Sequence, residues 1–502
     1  MSEAAVSVER RTLLKGGTAA ALAGGPFAGF VSAPVGATRD RDRPGRAPRL
    51  VPARDKRDGK VRLHLPRGFS YRSFHDTERP VVLDDGTRLP GRHDGMGAFR
   101  GEHPDDVILV RNHELNNPEP DSGDRYAAFG GRSTPAPYDA AARGGTTTVL
   151  VDRHGRVARA FTSLNGTMMN CSGGSMPWGS WVTCEETVNG PDVGPDFTGA
   201  SNVPLQKPHG YIFEVPAGGH SDREPVTRAG RFAHEAVSFD PVGGALYLTE
   251  DNFGFASGFY RFLPDENPMV KGHLVNDGRL QMLAVRGKPN KHLEGHQDRG
   301  ATYPVEWVDI DEPDPVFRYT PGRPAPTTNN AAIRYVGDQG RARGAAYFSR
   351  LEGQMYDDCT VYFTSTQGGG AVEPTDENDA GYGKGSGQVW AYDTGAESLS
   401  CVYQSPGPEV LDFPDNVTTS PCGTLVECED SDGDNYLRGL SPNGRLWDIC
   451  LNRLTSATGA ERFGDEFAGS TFSADGRTLF VNIQAGWGMT FAIWGPWQEI
   501  GV

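Results

Sequence analysis

From residue 103 to the C-terminus the chain repeats one unit: a short apolar strand ending in polar or acidic residues, then a turn and an aromatic strand. The first members read HPDDVILVRNHE (103–114), WVTCEE (181–186), GGALYLTED (243–251), CTVYFTST (359–366), GTLVECED (423–430) and DGRTLFVNIQ (475–484). The second members read RGGTTTVLVDRHGRV (143–157), HGYIFEVPAG (209–218), SGFYRFLPD (257–265), GQVWAYDTG (387–395), NGRLWDI (443–449) and FAIWGPW (491–497). Helical 3.6-residue periodicity is nearly absent, and strand pairs recurring around glycine turns must bury their faces against neighbouring pairs. The 66 glycines and 37 prolines suit so many turns. In a β-sandwich array the polar strand ends would scatter; in a β-propeller they converge on a central channel. The pattern therefore predicts an all-β chain, a six-bladed β-propeller over residues 61–502 with long loop insertions such as 266–340.

The N-terminus has a different character. ERRTLLKGG (9–17) places Arg10 and Arg11 before the small-residue apolar run TAAALAGGPFAGFVSAPVGA (18–37). This is the pattern of a twin-arginine export signal over residues 1–37, with a small-residue cleavage site at 35–37. Residues 38–60, charged and proline-rich, read as a linker. No later stretch has 18 uninterrupted apolar residues, so the mature protein is expected without a membrane span, in the periplasm or outside the cell. The twin-arginine route carries folded cargo, which favours a cofactor inserted before export.

The formal net charge of −16 excludes a nucleic-acid partner, which needs a basic face. The acidity has a pattern instead. Polar strand ends gather Asn112, His113 and Glu114; Asn170 and Cys171; Glu185 and Glu186; His234 and Glu235; Glu250 and Asp251; Arg350 and Glu352; Asp415 and Asn416; Glu429 and Asp430. Carboxylates crowded into one low-dielectric channel repel and become protonated unless cations neutralise them. Carboxylate and amide oxygens suit Ca²⁺ or Mg²⁺. A thiolate among glutamates suits a transition metal such as iron. The seven cysteines contain no Cys-x-x-Cys, so a zinc finger is excluded.

Taken in order, RRTLLKGG, RNHE, NCSGGSMPWGSWVTCEE, GRFAHEA, LYLTED, SRLEG, FPDN and STFSADGRTLFVNIQ resemble the PhoX-type bacterial alkaline phosphatases along nearly the whole chain. The resemblance implies a channel holding Fe³⁺ and Ca²⁺ and a phosphate-ester substrate. It implies Cys171 as an iron thiolate acting in catalysis, Glu235 and Glu352 as iron carboxylates, and Arg350 as the catalytic, phosphate-binding arginine. It implies Asn112, Glu114, Glu186, Asp251 and Asp430 as calcium ligands; a one-residue slip would exchange them for His113, Glu185, Glu250 or Glu429. Two other readings of the same residues stay open: another metal-dependent hydrolase, a phosphodiesterase or lactonase, and a non-enzymatic calcium-binding propeller. Nothing in the sequence calls for an oligomer, and a monomer is expected.

Overall fold

The computed structural model describes residues 48–117, 129, 135–370 and 385–502. The export signal expected at residues 1–37 lies outside them. Among the described residues no helix is long and apolar enough to cross a membrane.

The fold is an all-β propeller built around six inner strands: His93–Arg100, Asn170–Met176, His234–Phe239, Leu351–Asp357, Pro414–Thr419 and Phe467–Phe472. Each inner strand packs on the next, and the sixth packs on the first, so the ring closes. Each pairs antiparallel with a second strand: Asp106–His113, Ser180–Glu185, Leu246–Glu250, Thr360–Ser365, Leu425–Glu429 and Thr478–Ile483 in turn. These are the apolar runs that open each sequence unit. They are buried on both faces, which is why they read as near-continuous hydrophobic stretches.

Two expectations change. NGRLWDI belongs to the fourth strand of the fifth unit (Leu446–Asn452), and Tyr436–Leu440 intervenes between it and the second strand. The polar run before Tyr436 hid that strand. Within the segment expected as a linker at 38–60, Leu50–Ala53 is a strand that pairs with Leu63–Pro66, which adds to the outer edge of the fifth unit. The 266–340 insertion supplies the fourth strand of the third unit (Gly278–Val285), a strand (Thr302–Asp309) joining the third and fourth units, and a helix, Asn329–Ala342. Thr328 caps that helix by accepting from the Ala331 N–H.

The sixth unit takes strands from both the N-terminal and the C-terminal parts of the chain. Ser70–Phe74 is the outer strand of the sixth unit, paired with Met489–Trp494 from Phe74↔Thr490 to Ser70↔Trp494. Tyr71 and Phe491 are fully buried in the same core as Leu479 and Ile493.

Candidate metal centre and active site

The inner strands share one local geometry that the hydrophobic pattern does not reveal. Their first residues pair with the last residues of the second strands: His93↔His113, Asn170↔Glu185, His234↔Glu250, Leu351↔Ser365, Pro414↔Glu429 and Phe467↔Ile483. A bulge follows at once in five strands, and one residue later in the sixth. A bulge leaves a residue unpaired and re-aims its side chain. The residues so placed are Asp94, Cys171, Glu235, Glu352 and Asp415; in the sixth strand the equivalent residue, Ala468, still pairs with Asn482.

The residue after each is small: Gly95, Ser172, Ala236, Gly353, Asn416 and Gly469. Close packing requires this. A Cβ on Gly95 would lie 2.5 Å from Ser172 Cα, and one on Gly353 would lie 2.6 Å from Asn416 Cα.

A second set comes from the residue that follows each second strand: Glu114, Glu186, Asp251, Thr366, Asp430 and Gln484. Their N–H groups donate to the carbonyls of Arg92, Met169, Ala233, Arg350, Phe413 and Glu466, each the residue just before an inner strand. Arg92, Met169, Arg350 and Phe413 have φ between 45° and 50°. Left-handed backbone in a non-glycine residue costs roughly 1–2 kcal/mol, and the bulge and the carbonyl acceptor hold it.

The two sets meet in a cavity of about 320 Å³. Its carboxylates are Asp94, Glu114, Glu186, Glu235, Asp251, Glu352, Asp415, Asp430, Asp465 and Glu466; Cys171, Arg92, Arg350, Phe253 and Gln484 also line it. Arg350 Nε donates to Asp251 Oδ1 (3.1 Å) and its Nη2 to Asp251 Oδ2 (2.6 Å) and Glu352 Oε1 (2.9 Å). Arg92 pairs with Glu114, and Gln484 Nε2 donates to Asp94 Oδ2 at 2.6 Å. Two arginines cannot balance so many acids. Burial and the neighbouring carboxylates push Glu186, Glu235, Glu352, Asp94 and Glu466 well above the usual carboxylate range. Burial, with Asp430 beside it, raises Asp415 to about 8.

Bound cations would relieve that cost, and the donor atoms are spaced for them. One ligand atom each from Cys171, Glu186 and Glu235 lie within 4.8 Å of one another, and so do atoms of Glu235, Glu352 and Asp415. Glu235 belongs to both groups. The first offers sulfur and oxygen, the second oxygen alone.

Cys171, Glu235, Glu352, Glu114, Glu186, Asp251, Asp430 and Arg350 thus all line the cavity. Asn112 does not. Its amide donates to the carbonyls of Cys171 (3.0 Å) and Ser172 (2.7 Å), and its oxygen accepts from Trp181 Nε1 (2.9 Å). Paired within the sheet opposite Thr146, it holds the strand that carries Cys171. Glu186, which the resemblance implied as a calcium ligand, is grouped with the thiol because the Glu186 N–H is tied to Met169 O, two residues before Cys171.

The neighbouring acids turn into the blades. Glu185 accepts from the Met168, Gly210 and Tyr211 N–H groups and pairs with His209 Nδ1 at 2.6 Å. Glu250 accepts from the Gly258 N–H and the Tyr260 hydroxyl. Glu429 accepts from the Asp412 and Tyr436 N–H groups and from Arg438 Nε. His113 bonds Gly91 O and the Thr147 hydroxyl. Alternation along a strand decides this: the last paired residue faces the blade, and the next enters the channel.

Sequence reasoning missed Arg92, Asp94, Asp465, Glu466 and Gln484, and noted Asp415 without giving it a role. HDGM, HEAV, LEGQ and PDNV share one signal, an acid second in the strand and a small residue after it.

A family model, Alkaline phosphatase PhoX, matches residues 50–160 and 156–486. The chain belongs to the PhoX alkaline phosphatase family. It is a phosphoric ester hydrolase of that metal-dependent family. Among solved structures it is similar to PhoX of Pseudomonas fluorescens in complex with vanadate, a transition state analogue: TM-score 0.63, 16% identity, covering 91% of this chain and 99% of that one. A gluconolactonase from Xanthomonas campestris follows at TM-score 0.38 and 13% identity, covering 89% and 98%. Virginiamycin B lyase from Staphylococcus aureus follows at TM-score 0.36 and 12% identity, covering 85% and 99%. No curated protein matches the chain at a significant level.

Proposed function

We propose that the chain is an exported phosphatase that holds iron and calcium in the channel cavity and hydrolyses phosphate esters against Arg350. The observation that carries this is Glu235, shared by two donor groups in a cavity that also presents Arg350. In this reading Cys171, Glu186 and Glu235 hold Fe³⁺. Glu352 and Asp415 complete a second position with Glu235. Glu114, Asp251 and Asp430 serve Ca²⁺. When bound, such cations polarise phosphoryl oxygens and lower the pKa of a ligated water.

The chain's own groups do the rest. Asp251 and Glu352 fix the Arg350 fork through Nε and Nη2, leaving Nη1 to donate to a phosphate oxygen. Arg92 occupies the equivalent place three units away, so a phosphoryl group between them meets positive charge from both sides. Burial keeps bulk water from screening these charges. Arg10 and Arg11 direct export by the twin-arginine route, and the mature protein acts as a monomer outside the cytoplasm.

Elemental analysis of protein purified through its native export, beside turnover of p-nitrophenyl phosphate with and without calcium, tests this. Bound iron with calcium-dependent turnover is expected, and Cys171→Ala should lose the iron and the activity. Calcium without iron, and no turnover, would leave a calcium-binding propeller.

A further inference from the structure

A second cavity of about 270 Å³ adjoins the first and shares Glu186, Asp251 and Phe253 with it. Its chemistry is the opposite. Met169, Phe197, Phe255 and Ile333 wall it, the last from the helix of the long insertion. Besides the shared Glu186 and Asp251, which lie toward the first cavity, its lining carboxylate is Asp196, which accepts from Asn116, Asn189 and Thr198.

Two of its rings are left in solvent: Phe197 is 79% exposed and Phe253 49%. They lie 5.6 Å apart with their planes tilted by 40°. The guanidinium of Arg350 sits over the Phe253 ring at 3.8 Å. Arg350, Phe253 and Phe197 therefore form a continuous line from the polar cavity into the apolar one. An apolar cavity of roughly 150 Å³ holds a benzene ring, so this one has room for a ring and a short linker.

We propose that the second cavity receives the aromatic alcohol portion of a phosphate monoester whose phosphoryl group lies against Arg350. The proposal rests on the phosphatase reading. Water adds its oxygen to phosphorus, the bond from phosphorus to the alcohol oxygen breaks, and the alcohol departs with a proton along the Phe253 side, leaving inorganic phosphate. Aromatic pairing at Phe253 and Phe197 gives aromatic esters an advantage over small alkyl esters with the same phosphoryl group.

Equilibrium binding of 2-phenylethylphosphonate and ethylphosphonate to the metal-loaded protein tests it without turnover. The two ligands share their charged group and differ by one ring. The phenyl compound should bind about tenfold more tightly, and Phe197→Ala should shrink that preference to about twofold. Phe197 is too exposed for its removal to threaten the fold. Equal affinities, no binding of either compound, or a preference that survives Phe197→Ala would each overturn the proposal. If the ring preference holds while 2-phenylethyl phosphate and ethyl phosphate are both left unhydrolysed, the cavity assignment stands and the phosphatase reading fails.

Discussion

Glu429 and Asp430 are neighbours in the chain and have unlike surroundings. Glu429 is buried among two N–H donors and Arg438; Asp430 faces the channel beside Glu466 and Asp415. Glu429→Gln should therefore destabilise the fold by on the order of 2 kcal/mol, since it weakens three charge-assisted bonds and leaves Arg438 underpaired. Asp430→Asn should do the reverse in metal-free protein. It removes a carboxylate that repels its neighbours, so the midpoint of thermal unfolding should rise, while phosphatase activity falls at least tenfold. Paired thermal melts and p-nitrophenyl phosphate kinetics check both. The adjacent acids were visible in the sequence, but not which of the two enters the channel, because that depends on strand register.

Each inner strand is a compromise between packing and aim. Gly353 lets the fourth strand pass the fifth at a distance that no side chain permits: a Cβ there would lie 2.6 Å from Asn416 Cα and 2.8 Å from Asp415 O. Gly353→Ala should cost about 1–3 kcal/mol by overpacking and should displace Asp415 and Glu352 together, so affinity for added calcium should fall along with stability. A calcium titration of the variant checks this.

The second unit carries its own pH dependence. His209, fully buried between Glu185 and Asp139, is raised to about 9 by those carboxylates against the burial that opposes it. A raised pKa means the protonated form is favoured by folding. The contribution, roughly 3 kcal/mol, is fully present below the unfolded value near 6.5 and is lost as pH rises through about 9. Denaturation midpoints across pH 6–10 should fall over that window, and His209→Gln should flatten the fall. The second strands were legible because they are apolar and end in acids. The inner strands were not, because glycines and bulges erase the alternation by which a strand is recognised.

At the scale of the whole molecule, Ser70–Phe74 and the C-terminal strand Met489–Trp494 depend on each other. Without Ser70–Phe74 the sixth unit loses its outer strand, and the core around Phe491 and Ile493 opens to water. Removing residues 1–76 should exhaust much of the 5–15 kcal/mol that a folded domain has to spare and abolish a cooperative melt, which circular dichroism would record.

Composition and pattern alone determined the all-β class, the recurring unit and the acids at its ends, because hydrophobic period and turn residues are local properties. They also led to the expectation of cations, since crowded buried acids must otherwise take up protons. Only the tertiary structure decided which acids converge. Asp94, Glu235, Glu352 and Asp415 come from strands tens to hundreds of residues apart, and ring closure and bulge geometry bring them into one cavity. Likewise, the two exposed phenylalanines beside Arg350 are unremarkable in the sequence; they become a surface because the loops that carry them lie side by side.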